Sequence, residues 1–211
     1  MHDFSKLRDA VLTGSAPAAT AAARLALDSG VDPVDLVNLA IGPAMDEVGR
    51  LYEAGEYFVP ELLLSARATK EVFVLIRPLL AQKGAQPTAR VVLGTVQGDL
   101  HDIGKNLVAA MLEGSGFEVI DLGVNVTPAK FVSAVTEKRA QIVGLSALLT
   151  TTMPAMKTTV DALRAAGGPD RVKVMIGGAP ITAAFAESIG ADGYGENAAV
   201  AVDLARRLVG R

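Results

Sequence analysis

Nine residues, GDLHDIGKN from Gly98 to Asn106, gather most of what could do chemistry in this chain. The sequence holds two histidines and no cysteine. His2 sits at a terminus that is expected to fray, which leaves His101, flanked by Asp99 and Asp102. A carboxylate beside an imidazole takes one ring N–H, fixes the tautomer and leaves the other nitrogen basic, the arrangement of a metal-ligating histidine. One imidazole without thiolates or a second imidazole does not build a transition-metal site from protein ligands alone. It does suit a metal that arrives with its other ligands already attached, as in a macrocycle, and needs one axial ligand. Two plainer readings compete. Gly98…Gly104-Lys105 resembles the phosphate loop G-x-x-x-x-G-K-[ST], yet five residues separate the glycines instead of four, and Asn106 replaces the magnesium-binding hydroxyl. The other reading makes His101 a helix-start residue held by Asp99 for structure alone.

The elements around this stretch decide where it lies. After residue 84 the sequence alternates strand and helix patterns. Strand candidates are RVVLGTV (90–96), FEVIDL (117–122), QIVGLS (141–146), VKVMIG (172–177) and a short one near 191–194, each followed by a helical pattern, the last over 197–210. Such alternation implies a doubly wound, five-stranded parallel sheet with helices on both faces. In open sheets of this kind ligands bind beyond the carboxyl ends of the strands. The turns there carry GDLHDIG, then the hydroxyl-rich SALLTTTM (146–153), then GGAP (177–180), then GYGENA (193–198). His101 therefore faces hydroxyls and a di-glycine, which moves the balance towards a ligand role.

Residues 1–84 read as a four-helix bundle. Val37, Ile41, Ala44, Met45, Val48, Leu51 and Tyr52 recur at helical spacing over 33–54, with Asp32-Pro33 as a start and Gly55 as a stop. Pro60 opens a helix to about Leu80, and shorter helices fit 3–13 and 16–29. QKGAQPTAR (82–90) reads as a linker, so the expected division is a helical domain over 1–84 and an α/β domain over 85–211. Half of the 211 residues are hydrophobic, 20% are charged and the net charge is −3, a globular composition that gives no support for a nucleic-acid or anionic-membrane partner. The absence of cysteine excludes disulfides, iron–sulfur clusters and a thiol nucleophile and suits a reducing cytosol. MHDFSKLRDA lacks the apolar core of a signal peptide, and no apolar run reaches the roughly 18 residues of a spanning helix. The expectation is a soluble, cytoplasmic protein.

Asp99-Leu100-His101-Asp102-Ile103-Gly104, then Ser146-Ala147-Leu148, then Gly177-Gly178 resemble the D-x-H-x-x-G, S-x-L and G-G signature of the cobalamin-binding domain of corrinoid methyltransferases. GPAMDEVGRLYEAGEYFVPELLLSARATK (42–70) is similar to the helical cap of cobalamin-dependent methionine synthase and of stand-alone methyl-carrying corrinoid proteins. The resemblance covers about residues 5 to 208. It implies cobalamin, or a related corrinoid, bound base-off, with His101 as the lower cobalt ligand, Asp99 hydrogen-bonded to it and the Thr152 hydroxyl completing a relay. Gly98, Leu100, Asp102, Ile103, Gly104 and Leu148 complete the binding motifs. Ser146 and Thr150 match positions that touch the displaced base or tail, and Gly177, Gly178 and Ala179 match backbone along which the tail passes. Tyr194 and Ala198 match further lining positions. In the cap, Tyr52, Phe58, Val59 and Leu62 match residues over the upper cobalt face, although their spacing alone reads as bundle core. Tyr52 stands where methionine synthase has phenylalanine, and Ile41 where it has glutamate.

The resemblance implies a methyl carrier whose cobalt cycles between Co(I) and methyl-Co(III). It would act between a methyl-donor methyltransferase and an acceptor methyltransferase using tetrahydrofolate or a thiol, with a reductive activator in support. The 211 residues leave no room for the folate, homocysteine and reactivation domains of methionine synthase, so the expectation is a carrier subunit rather than a self-sufficient enzyme. The rival is a cobalamin-dependent sensor acting through protein–protein contacts. Light-responsive regulators share the cap and cobalamin domain but place a DNA-binding helix-turn-helix before them, and here the cap pattern begins within the first few residues. Radical mutase subunits share the cobalamin domain but not this cap.

Overall fold

The computed structural model describes residues 3–83, 86–167 and 172–210; His2 and two residues of the expected linker, 84 and 85, lie outside them. The chain divides into two compact units, Met1–Pro87 with Ala110–Gly116, and Thr88–Ala109 with Phe117–Arg211.

The first unit is helical. Ser5–Leu12 (α1) and Ala16–Asp28 (α2) precede Pro33–Leu36 (α3), a π-helical turn Val37–Ile41, Gly42–Glu53 (α4) and Val59–Gln82 (α5). Asp32 caps α3, its Oδ1 accepting the Val34 N–H at 2.9 Å; this satisfies one of the orphan donors of the first turn. The single helix expected over 33–54 runs instead through the widened turn before Gly42-Pro43. Pro43 has no N–H to give and its ring crowds the carbonyl four residues back, and a π turn, with its one extra residue, accommodates both. Gly55, at φ 73°, takes the left-handed conformation that ends a helix. Leu7, Val11, Leu36, Ile41, Met45, Val48, Leu62, Val72 and Ile76 form the buried interior, joined by Ala19 and Ala23 of α2, whose small side chains let helices approach closely.

The second unit contains five parallel strands, Arg90–Thr95 (β1), Glu118–Asp121 (β2), Ile142–Ser146 (β3), Lys173–Gly177 (β4) and Gly193–Tyr194 (β5), in the order β2-β1-β3-β4-β5. The order reverses between β1 and β3, the point where ligands bind in such sheets. Helices Ile103–Gly114 (α6), Pro128–Lys138 (α7), Met153–Ala166 (α8), Ala183–Ser188 (α9) and Ala198–Leu208 (α10) alternate with the strands. β1, β3 and β4 are almost wholly buried, as strands covered on both faces must be, so their apolar runs do not alternate. The outer strands β2 and β5 are shorter than the sequence pattern implies. Register places Thr95 opposite Ser146 and Ser146 opposite Gly177, and Ile176 opposite Tyr194. The predicted turns thus leave the sheet along one edge. The fold expected for each half is the fold observed.

Candidate functional site

β1 delivers the chain to the carboxyl edge of the sheet, where Gly98 turns it at φ 88°, a conformation that favours glycine. Asp99 follows with its carboxylate fully buried. A buried charge is tolerated only when its lone pairs are filled, and here they are. Oδ1 accepts the backbone N–H of His101 at 3.1 Å and lies 2.7 Å from His101 Nδ1. Oδ2 accepts the N–H groups of Leu148 and Leu149 at 2.8 and 3.2 Å and the Thr152 hydroxyl at 2.7 Å. Burial pushes the Asp99 carboxyl up, but the His101 and Leu148 amides, the Thr152 hydroxyl and the His101 ring together hold it well below the ordinary carboxylate range. Asp99 is therefore an acceptor, and the His101 ring nitrogen beside it is the donor: Nδ1 directs its proton at Oδ1, and Nε2 is the nitrogen left over.

His101 is held from its main chain as well, because the buried Thr95 hydroxyl donates to the His101 carbonyl at 2.9 Å. Its side chain is half exposed, and Nε2 has no hydrogen-bond partner among the described residues. Thr152 closes a short turn, Thr150–Thr152, at the start of α8. Its single hydroxyl hydrogen is shared between Asp99 Oδ2 and the Leu149 carbonyl at 2.8 Å. Asp99 and His101, which the D-x-H spacing joins, and Thr152, which the family resemblance adds, thus lie within hydrogen-bond distance of one another through the Asp99 carboxylate. Asp102 faces elsewhere, accepting from Asn106 Nδ2 at 3.0 Å.

Around the imidazole the loops present large apolar side chains to solvent. Leu100 and Ile103 are 70% and 83% exposed, and Leu148 and Leu149 are 42% exposed each. The Leu148 and Leu149 amides bind Asp99, the residue before Leu100, so the two loops that carry these side chains, an apolar rim, meet beside the His101 segment. Gly104, exposed, offers no side chain beside them. Ser146 is half-buried at the end of β3 and Thr150 is exposed. Gly178 sits at φ 130°, and a Cβ there would overlap the Ala147 carbonyl oxygen; a Cβ on Gly177 would lie 2.9 Å from the Gly195 oxygen. Close backbone packing therefore requires both glycines, with Ala179 exposed beyond them. Tyr194 packs on the sheet core and Ala198 is buried in the first turn of α10. In the helical unit Phe58 and Val59 are exposed and Tyr52 is half-buried, while Leu62 is wholly buried in the bundle; its place is explained by packing.

Several residues important here carried no sequence signal. Thr95 reads as one more β-branched strand residue. Asn125 lies in the loop after β2, at φ 52°, and its only hint is that asparagine tolerates this conformation. Lys105 is buried and pairs with Asp121 at the end of β2 and with Asn106 Oδ1 at 2.7 Å, so the lysine that resembled a phosphate ligand is spent on an internal ion pair.

Among the described residues no group of three or more histidines, cysteines, aspartates or glutamates could hold a metal ion. A single oriented imidazole in an apolar rim fits a metal carried by a flat hydrophobic ring. The comparisons agree. A B12 binding domain family matches residues 89–203, and a second B12 binding domain family matches residues 4–76. Fold and site together define a B12-binding protein.

The relatives narrow the class. The chain is 38% identical to a corrinoid protein of Desulfitobacterium hafniense (strain Y51), covering 100% of this chain and 99% of the relative. It is 40% identical to dimethylamine corrinoid protein 1 of Methanosarcina acetivorans, covering 98% and 97%. Its fold is similar to a crystal structure of a cobalamin-binding protein from Desulfitobacterium hafniense, at TM-score 0.83 and 35% identity over 100% of both chains. It is likewise similar to a chain of the methanol:cobalamin methyltransferase complex of Methanosarcina barkeri, at TM-score 0.85 and 31% identity, covering 98% of this chain and 79% of that one. The chain belongs to the corrinoid-protein family and binds cobalamin or a related corrinoid. No helix among the described residues is long and apolar enough to cross a membrane.

Proposed function

We propose that this protein carries methyl groups on a corrinoid held base-off, with His101 Nε2 as the lower cobalt ligand. The observation that supports this most is the state of the ring: Nδ1 is committed to a buried anion while Nε2, half exposed in an apolar rim, has nothing else to bind. The bound corrinoid would supply a cobalt centre able to accept and give up a methyl group. The chain's own residues orient and protect it. Asp99 keeps the ring upright and accepts the Nδ1 proton's hydrogen bond whether or not Nε2 is engaged. Thr152 can turn its hydroxyl from Asp99 Oδ2 to the Leu149 carbonyl, so the carboxylate adjusts its hydrogen bonding as the charge on the ring changes. Leu100, Ile103, Leu148 and Leu149 exclude water from the lower face. Ser146, Thr150, Gly177, Gly178 and Ala179 would receive the nucleotide tail at the edge where β3 and β4 end. Phe58 and Val59, exposed at the start of α5, would shield the reactive face.

Relatives named for dimethylamine and a similar chain from a methanol:cobalamin methyltransferase complex support a donor methyltransferase as one partner. The acceptor would be a second methyltransferase working on tetrahydrofolate or a thiol, with a reductive activator restoring the carrier after adventitious oxidation. The test is electron paramagnetic resonance of the chain loaded with cob(II)alamin, prepared with natural and ¹⁵N-labelled histidine. Superhyperfine splitting that follows the label places His101 on cobalt; splitting indifferent to it removes the ligand role.

A further inference from the structure

The loop that carries Asp99 and His101 is gripped from two sides. One is the β3–α8 turn, whose amides fill Asp99 Oδ2. The other is the loop after β2, and one residue there makes the grip. Asn125 Oδ1 accepts the Gly98 N–H at 2.8 Å, and the Asn125 backbone N–H donates to the Asp99 carbonyl at 2.9 Å. The side-chain oxygen and the backbone N–H of the residue thus close on the two residues that set the direction of the Asp99 side chain. This double engagement depends on the left-handed backbone at φ 52°, which asparagine adopts far more readily than other non-glycine residues.

Asn125 is itself fixed. Val126 is buried, bridges to Val96, and donates its N–H to the Thr95 carbonyl at 3.0 Å. Gly123 accepts the Thr95 N–H at 3.0 Å. On the far side Thr127 caps α7. The residue is a post standing between anchored neighbours, and its contacts all point at the ligand loop.

We propose that Asn125 is a positioning residue for His101, setting the aim of Nε2 through Gly98 and Asp99. The proposal rests on the reading of His101 as cobalt ligand, and it goes beyond that reading because the hydrogen bonds of Asn125 end on Gly98 and Asp99 rather than on the ring. Three substitutions separate its parts. Asn125→Asp keeps an oxygen for the Gly98 N–H and tolerates the backbone. Asn125→Gly keeps the backbone and its bond to Asp99 but loses the side-chain bond. Asn125→Ala loses the side-chain bond and strains the backbone as well.

The probe is cob(II)inamide, which has no nucleotide base of its own, so any nitrogen ligand comes from the protein. Its dissociation constant is measured by absorbance, and its EPR spectrum with ¹⁵N-histidine protein. Expected are wild-type behaviour for Asn125→Asp and binding weakened about threefold for Asn125→Gly, the loss of one exposed hydrogen bond. Asn125→Ala should weaken it about tenfold or more, by added backbone strain. The ¹⁵N imidazole spectrum of the unloaded chain gives a second reading, with His2 as internal reference. The Nδ1–H resonance of His101 should broaden in the glycine variant and stay sharp in the aspartate variant. A label-dependent wild-type spectrum with Asn125→Gly indistinguishable from wild type in both measurements overturns the positioning role alone. A wild-type spectrum indifferent to the label overturns the ligand reading and this proposal with it.

Discussion

Replacing Asp99 with asparagine alters almost nothing in shape, yet the structure makes it a severe change. The carboxylate is buried and takes five hydrogen bonds: the His101 amide and ring on Oδ1, and the Leu148 amide, Leu149 amide and Thr152 hydroxyl on Oδ2. Asparagine keeps one oxygen, and its NH₂ must then face donors. If the oxygen stays towards His101, the Thr152 hydroxyl can turn to the Leu149 carbonyl, but the Leu148 and Leu149 N–H groups both lose their acceptor, the closer Leu148 bond alone at about 1–3 kcal/mol. The bonds that remain lose their charge assistance, worth roughly 1 kcal/mol each. The sum is on the order of 3–4 kcal/mol, a large part of the stability of a small domain. The pH dependence carries the sign. The Asp99 carboxyl lies well below its ordinary value of 3.8 in the fold, so its contribution is fully present above that value. It is lost as pH falls below 3.8 towards the folded-state titration. Urea unfolding of wild type and Asp99→Asn should show a constant gap between pH 6 and 5 that begins to close below about pH 4. A gap that stays level down to pH 3 would mean the charge is not what Asp99 contributes.

His101→Ala should destabilise the unloaded chain by about 1–2 kcal/mol in urea, the loss of one half-exposed bond to the buried Asp99 carboxylate, while abolishing label-dependent EPR splitting. Leu62→Ala should destabilise the helical unit by about 3 kcal/mol in thermal unfolding. Phe58→Ala, exposed, should leave the melting temperature unchanged and speed oxidation of the reduced, loaded protein by air, read from the absorbance change. Gly178→Ala should cost more than about 3 kcal/mol, because left-handed strain adds to the clash with the Ala147 carbonyl; chemical denaturation checks it.

What the sequence made legible follows one rule: features whose cause is local could be read, and those whose cause is a distant neighbour could not. The apolar run 90–96 is a buried strand by composition, and D-x-H places carboxylate and imidazole within reach by spacing alone. Thr152 came from the family resemblance, because 53 residues separate it from Asp99 and no periodicity connects them. The π turn before Pro43 leaves no trace in the sequence, because helical spacing on either side reads as one unbroken helix. Leu62 shows the same limit from the other direction. Residues at helical spacing differ in which face they present, and only packing sends Leu62 inward while Phe58 and Val59 stay exposed.

On the proposed reading of His101 as the ligand, the packing around it explains why one histidine suffices. An imidazole on a surface loop samples many orientations and both tautomers. Here a buried anion chooses the tautomer, and that anion is itself oriented by amides from β3's exit turn, while Asn125 holds the backbone on which it stands. Each constraint comes from a different strand end, and the parallel register brings those ends together on one edge. The directionality of Nε2 is therefore a property of the sheet rather than of the D-x-H motif. Transplanting GDLHDIG into a loop without partners equivalent to Leu148, Thr152 and Asn125 should give a histidine that samples both tautomers and ligates without preference for either nitrogen, as ¹⁵N imidazole shifts would report.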